Sequence, residues 1–240
     1  MPSSGAMFYR YVLRTTDVAA ARAFYADAIG LRLPDGVSSD SSLEAWPLHE
    51  RAIARGAPPH WLGQLAVDDV DAMVGRLVGF GSELLSPTVQ GRDGAPFATL
   101  RDPFDAVIGV RARGGSTTDA PVVWHQLHTR DVDGAWALYH ELFGWARKQT
   151  LDIPALVGGY RLFAWNESGA PVGAVGNTAR WPGVHTHWLF YLPIADIDGA
   201  AARVRALGGT AMPPVTLPSG MRIVTCEDPQ GAAFGLAQAA

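Results

Sequence analysis

Three residues that could bind or transform a small molecule alternate along one segment, Trp124, Gln126 and His128. In a strand, alternate side chains point to the same face, so the three would share a surface. An imidazole can move protons near neutral pH, and an indole offers a flat, rigid contact. We therefore take His128 as a candidate catalytic group and all three as candidate ligand contacts. Trp124 could equally fill such a cleft and close it.

A second predicted strand carries the remaining candidates. In it, Phe190, Leu192 and Ile194 form a uniformly apolar face suited to packing beneath a helix. The opposite face includes Leu189 and Tyr191, which adds them to the predicted ligand site. Mixed aromatic, apolar and polar residues on one inner face are typical of a small-molecule cleft.

Other histidines and arginines allow two interpretations each. His60 and His187 start predicted strands, and each either acts in chemistry or packs beside a tryptophan with one nitrogen on a carbonyl or solvent. Arg10 and Arg14 share a face and either bind an anion or pair with acids such as Glu44 or Asp35. His125 faces the other way and is predicted to be a core histidine.

An internal repeat positions these residues. Eight identities relate the segment from Arg10 to Leu31 to the segment from Trp124 to Trp145, each running from a strand through an aspartate into a helix that ends at glycine. Aspartate caps the first free amides of a helix, and glycine tolerates the left-handed turn that ends one. The matched pairs are Leu13/Leu127, Thr15/Thr129, Asp17/Asp131, Val18/Val132, Ala21/Ala135, Ala23/Ala137, Tyr25/Tyr139 and Gly30/Gly144.

A second repeat lies further along each half of the chain. His60-Trp-Leu leads to Asp69, and His187-Trp-Leu leads to Asp196; helices, turns and strands follow. Asp-Pro turns precede the last strand of each half, as proline's fixed φ favours. We predict an α+β fold of four βαβββ modules that form two half-open barrels.

The segment between the halves is small and polar. Gly114 to Ala120 has the composition of a flexible linker. We place one domain at residues 1–113, the linker at 114–120 and a second domain at residues 121–240.

This pattern resembles the vicinal-oxygen-chelate superfamily, which includes glyoxalases, bleomycin-resistance proteins and extradiol dioxygenases. Phe143-Gly-Trp145 and the segment from Asp228 to Leu236 are similar to a four-module subgroup of mycobacterial antigens and streptomycete proteins called hydroxylases. Two-module relatives dimerise to complete their barrels. The resemblance therefore implies a monomer or a weak homodimer for a four-module chain.

The resemblance also implies where metal ligands would lie. Metal-using members carry His or Gln on the leading strand, a second His on the next leading strand and a Glu on the final strand. A catalytic divalent site needs about three protein ligands. We therefore expect no metal and no cofactor, because the matching positions hold none of these ligand types: Arg10, Trp124, Leu62, Leu189, Gly109 and Gly235.

Composition excludes several classes of function. The formal net charge is −4, and no basic run could follow a phosphate backbone, so nucleic acid is not an expected partner. No apolar stretch is long enough to cross a bilayer, and the N-terminus does not resemble a signal peptide, so we expect a cytoplasmic protein without a membrane partner. Cys226, the one cysteine, is read as a packing residue.

Two functions remain open. The first is a metal-free module that binds an apolar or aromatic small molecule through Trp124, Gln126, His128, Leu189 and Tyr191. The alternative is a cofactor-free or metal-assisted lyase, isomerase or oxygenase in which His128 handles protons.

Overall fold

The structure is a computed structural model that describes residues 6–34, 41–91, 93–114, 121–152, 159–217 and 219–240. The predicted α+β order of repeated strand and helix units is confirmed. The first module comprises β1 (Phe8–Thr15), α1 (Val18–Ile29), β2 (Leu43–Pro47) and α2 (Glu50–Ala54). The second comprises β3 (His60–Val67), α3 (Val70–Gly79), β4 (Glu83–Gln90), β5 (Pro96–Arg101) and β6 (Val107–Ala112).

The second half of the chain repeats this order. The third module comprises β7 (Trp124–His128), α4 (Val132–Phe143), β8 (Ala146–Leu151), β9 (Tyr160–Ala164), β10 (Gly173–Gly176) and a 3-10 helix (Asn177–Arg180). The fourth comprises β11 (His187–Pro193), α5 (Ile197–Ala206), β12 (Thr210–Ala211), β13 (Val215–Thr216), β14 (Arg222–Glu227) and β15 (Ala233–Gln238).

The first module is shorter than the predicted βαβββ unit. In its described residues, one strand follows the helix, where the second and third modules have three. Helix α1 ends at Ile29 and β3 begins at His60, a shorter interval than the one from Phe143 to His187. The segment between α1 and β3 is therefore too short to hold as many strands of ordinary length, each with its connecting turn, as the longer segment between α4 and β11.

Four aspartates cap helices, and two of them, Asp17 and Asp131, were predicted to do so. Each accepts a hydrogen bond from the backbone N–H three residues later, at 2.9–3.0 Å: Asp17, Asp69, Asp131 and Asp196. Gly30 and Gly144 end α1 and α4 with φ of 73° and 68°, the left-handed conformation that glycine adopts without strain. No helix in the described ranges combines the length and hydropathy needed to cross a membrane.

The chain divides into two compact units that do not follow its two halves. Unit A takes the described residues of Met1–Arg10, Gly63–Ser116 and His125–Trp188. Unit B takes those of Tyr11–Leu62, Thr117–Trp124 and Leu189–Ala240. Each unit therefore contains parts of both sequence halves. Most of the predicted linker, residues 115–120, lies outside the described residues, and the boundary at 114–120 stays a prediction.

Within each unit the strands form sheet segments. Unit A contains the orders β3-β6-β5-β4 and β7-β10-β9-β8, with β3 parallel to β6 and β7 parallel to β10. Unit B contains β1 beside β2 and the order β11-β15-β14-β12, with β13 also paired to β14. Helix α5 packs on α1 in unit B, where Arg203 Nε donates to the Ala28 carbonyl at 2.9 Å.

A buried hydrogen-bond chain of the same three residue types lies in each unit. In unit A, Trp188 Nε1 donates to the Tyr139 hydroxyl at 3.0 Å, and that hydroxyl donates to Asp102 at 2.8 Å. Asp102 belongs to the Asp-Pro turn, whose backbone amides of Phe104 and Ala106 donate to its other oxygen. Burial raises the pKa of Asp102 to about 6.

Unit B has the equivalent chain. Trp61 Nε1 donates to the Tyr25 hydroxyl at 2.8 Å, which donates to Asp228 at 3.3 Å. Burial raises the pKa of Asp228 as well. Each hydrogen-bond chain joins a helix tyrosine to the Asp-Pro turn of the other sequence half, so the indole N–H, the hydroxyl and the carboxylate of each set are partnered.

Candidate functional site

Three of the predicted site residues form an apolar cluster in unit B. Leu189 and Tyr191 are 0% and 2% exposed and pack with Ile223 and Ala237. Trp124 is half-buried against this cluster. Further partly buried side chains that border it are Val215, Leu217, Met221 and Ala233. An indole that packs on buried apolar side chains and is bordered by further apolar side chains forms a surface suited to a flat apolar ligand.

The ring of Tyr191 is placed by the strand register. β11 and β15 are parallel, and Tyr191 is paired with Gly235. A side chain at Gly235 would overlap the Tyr191 ring, because a Cβ built there would be much closer to three ring atoms than van der Waals contact allows. Gly235 therefore allows Tyr191 to lie flat on the sheet.

The other two predicted residues belong to a polar cluster in unit A. Gln126 Nε2 donates to the Tyr160 hydroxyl, and His128 Nδ1 shares a hydrogen bond with Thr178 Oγ1. Gln126 and His128 are 3% and 8% exposed, so both side chains are buried although His128 is the last residue of β7. Burial raises the pKa of Tyr160 to about 12, which keeps its hydroxyl protonated.

Three histidine rings meet at this cluster. The His128 ring stacks on His187 at 4.7 Å between centroids, and His187 lies 4.8 Å from His185. Burial lowers the pKa of His128 well below 6.5, and the neighbouring His187 and His185 lower it further. Burial also lowers the pKa of His187 to about 4. At neutral pH His128 is therefore an uncharged imidazole, the form that can accept a proton.

Two histidines place one ring nitrogen on a backbone carbonyl, as one of the two interpretations expected. His187 Nδ1 lies 2.9 Å from the His185 carbonyl, and His60 Nδ1 lies 2.8 Å from the Pro58 carbonyl. His125 is the predicted core histidine, with its Nδ1 2.9 Å from the Val172 carbonyl and a pKa that burial lowers to about 4. Cys226 is buried, and its pKa is raised to about 12, which agrees with a packing role.

The predicted site is thus two groups, one in each unit. Trp124, Leu189 and Tyr191 belong to unit B, whereas Gln126 and His128 belong to unit A. Strand alternation predicted which residues share a face but gave no information on which compact unit each would join. Sequence reasoning missed Tyr160, Thr178 and His185, because they follow no motif and reach the cluster only through tertiary structure: Tyr160 lies on β9, Thr178 follows β10 and His185 precedes β11.

Arg10 and Arg14 have different surroundings. Arg10 pairs with Asp93 at 3.3 Å, a carboxylate in a turn that sequence analysis did not consider. Arg14 lies over the Trp46 ring at 5.3 Å. Asp35, one of the partners we predicted, lies outside the described residues.

A cavity of about 450 Å³ lies elsewhere in unit A. Its lining is mainly apolar and comes from the residue that follows α3, the Asp-Pro turn and α4: Phe80, Pro103, Phe104, Gly134, Ala137, Leu138 and Glu141. It is open to solvent and contains none of the predicted site residues. Size alone does not make it a better candidate, since Glu141 is its one titratable group.

The positions that match metal ligands do not fit a metal. In unit B, Trp124, Leu189 and Gly235 supply no donor side chain, and Tyr191 covers the space where a glutamate at 235 would lie. In unit A, Gly109 is paired with Gln64, whose Cγ would be 2.8 Å from a Cβ at that position. Across the described ranges, no three His, Cys, Asp or Glu residues are grouped to hold a metal ion.

We expect purified protein to retain no stoichiometric zinc, iron, nickel or manganese. Trp, Leu and Gly cannot coordinate these ions, and a stable site needs about three ligands. Elemental analysis of protein dialysed without chelator tests this expectation. About one metal ion per chain after dialysis would show that other residues form a site.

These features together define a class of protein with tandem β-α-β modules in which the positions of the metal ligands are substituted. The chain belongs to the Glyoxalase/Bleomycin resistance protein/Dioxygenase superfamily, whose family model matches residues 8–110 and 122–236. The resemblance seen in the sequence is confirmed.

Named relatives cover most of the chain. It is 31% identical over 245 residues to "Putative glyoxylase CFP32" of Mycobacterium tuberculosis, covering 93% of this chain and 91% of the relative. It is 27% identical over 192 residues to "Anthracycline biosynthesis protein DauV" of a Streptomyces species, covering 76% and 67%. The Mn(II)-bound glyoxalase from Novosphingobium aromaticivorans shares the fold, with a TM-score of 0.63, 15% identity and coverage of 98% and 82%.

Proposed function

We propose that this protein binds an apolar or aromatic small molecule, without a metal, on the unit B cluster. The observation that carries the proposal is the half-buried Trp124 packed on buried Leu189 and Tyr191. Because Trp124 already packs against Leu189 and Tyr191, its side chain is held in one conformation before a ligand stacks on it. Little side-chain conformational entropy is therefore lost on binding. The rim of Val215, Leu217 and Met221 adds apolar area around it.

The chemistry of the cluster favours a flat, fused-ring ligand. Aromatic pairs stack offset or edge to face, and a tryptophan offers the largest surface for either arrangement. The name of the Streptomyces relative refers to anthracyclines, which are fused-ring aromatic compounds of this kind. Four modules within one chain also support a monomer or weak homodimer, since the modules can complete their barrels internally.

We expect Trp124→Ala to weaken binding of a neutral aromatic probe about two- to tenfold, the affinity equivalent of a lost aromatic contact. The probes are N-phenyl-1-naphthylamine, followed by fluorescence, and an anthraquinone, followed by calorimetry. Trp181→Ala is the matched control, because Trp181 is 41% exposed and belongs to unit A.

Equal losses of affinity in the two tryptophan variants would remove the case for the unit B site. If neither probe binds the unmutated protein, the binding function itself is contradicted.

The unit A cluster supports a second candidate, a cofactor-free enzyme of glyoxalase, isomerase or oxygenase type. Its neutral His128, fixed by Thr178 and flanked by Gln126, has the protonation state and positioning of a general base. A turnover that His128→Gln abolishes and Trp124→Ala leaves intact would favour this candidate over the binding protein.

A further inference from the structure

A buried arginine and a buried glutamine of unit A have polar atoms that no described residue satisfies. Arg111, on β6, is 1% exposed, and its Nε and Nη1 have no hydrogen-bond partner among the described residues. Gln64, on β3, is fully buried, and neither its Nε2 nor its Oε1 has a partner there. Buried polar groups in native proteins are nearly always satisfied, by protein, water or a ligand.

The two side chains are neighbours on the same face of the sheet. β3 and β6 are parallel, with Gln64 paired to Gly109 and Ala66 paired to Arg111. Since alternate residues share a face, Gln64 and Arg111 project from the same side, one residue pair apart. Gly109 adds no side chain between them.

The guanidinium group of Arg111 is held in place. Its Nη2 donates to Asp93, and the Phe97 ring lies 5.4 Å from its Cζ. Asp93 also pairs with Arg10, so one carboxylate is shared by two guanidinium groups. The Asp93 side chain is fixed by its turn, where Oδ1 accepts from the Ala95 amide at 3.1 Å.

We infer that Arg111 and Gln64, with Arg10 beside the shared carboxylate, bind an oxyanion of a small molecule, a carboxylate or a phosphate group. The unsatisfied Nε, Nη1 and Nε2 supply N–H donors, and charged donors to an oxyanion form the stronger class of hydrogen bond. Asp93 is 12% exposed at the edge of this group and competes with the incoming anion for Arg111. This site lies in unit A and is independent of the proposed aromatic site in unit B.

The test measures binding of inorganic phosphate and, in a separate arm, acetate, by calorimetry and thermal shift at ionic strength matched with chloride. We expect saturable binding of at least one anion, weakened about tenfold or more in Arg111→Gln, because charge-assisted hydrogen bonds are lost. Arg101→Gln is the matched control, since Arg101 is an exposed β5 arginine paired with Glu83. Phosphate without acetate binding assigns the site to phosphate groups, and the reverse assigns it to carboxylates.

A second variant keeps the inference testable if Arg111→Gln does not fold. Asp93→Asn removes the competing carboxylate while retaining both arginines, so the anion should bind the variant more tightly. The anion should therefore raise the melting temperature of Asp93→Asn by more than it raises that of the unmutated protein. An unchanged or smaller shift in Asp93→Asn would overturn the inference. So would an equal anion affinity in the unmutated protein and Arg111→Gln.

Discussion

Tyr139→Phe is expected to lower the free energy of unfolding by about 2–5 kcal/mol, since it leaves two buried polar groups without their partner. The lost hydroxyl accepts from Trp188 Nε1 and donates to Asp102. Chemical denaturation of the variant and the unmutated protein measures the difference. Tyr9→Phe is the control, because its hydroxyl makes one hydrogen bond within the described part of the chain, to the Ala112 carbonyl at 3.0 Å. Its loss should be about 1 kcal/mol.

The loss should also depend on pH. Burial raises the pKa of folded Asp102 from 3.8 to about 6, so between these values the folded protein holds more protons than the unfolded chain. Stability from this group is therefore greatest at low pH and falls as pH rises through that window. The Tyr139 hydrogen bond lowers the pKa of Asp102, so removing it raises that pKa further. Tyr139→Phe should cost more at pH 8 than at pH 5; equal losses would contradict the role of Asp102.

Gly235→Glu is expected to destabilise the fold by about 3 kcal/mol or more, combining overpacking with burial of an unpaired carboxylate. It restores the residue type that metal-using members carry, but the Tyr191 ring covers the position. Thermal and chemical denaturation measure the effect. Gly75→Glu is the control, because a side chain at Gly75 in α3 meets nothing within 4 Å.

Tyr191→Ala combined with Gly235→Glu separates the two contributions. Removing the ring should recover the steric part of the loss and leave the cost of the buried carboxylate. A Gly235→Glu protein as stable as the unmutated chain would show that Tyr191 can move aside and that the ligand position is still open. Such a result would weaken the metal-free interpretation of unit B.

Local signals predicted the local structure. Asp17 and Asp131 cap helices and Gly30 and Gly144 end them, because each of these effects acts within one turn of the chain. Strand alternation likewise placed Leu189 and Tyr191 together. It could not reveal that Gly235 lies beside Tyr191, since that depends on which strands pair.

Hydrogen-bond and ion-pair partners that are far apart in the sequence could not be predicted from local sequence patterns. Asp93 reaches Arg10 from a turn far along the chain, and Tyr160 reaches Gln126 only after β9 pairs with β10. The sequence also has no local signal that each unit draws segments from both halves of the chain, because the repeat predicts two similar halves without specifying which segments pack together. The candidate site therefore stays a prediction, and its polar partners Tyr160 and Thr178 could be named only from the structure.

The two Trp-Tyr-Asp hydrogen-bond networks differ in how much of the polypeptide must be synthesised before they can form. Tyr139 and Asp102 are separated by 37 positions, whereas Tyr25 and Asp228 are separated by 203. Closing a longer loop costs more entropy, and distant contacts slow folding. A ribosome makes about 5–20 residues per second, so α1 emerges many seconds before the turn that satisfies its tyrosine. During that time Phe24 and Tyr25 of α1 lack their contacts with Phe234, and apolar surface left exposed in this way is prone to aggregation until the C-terminal strands are made.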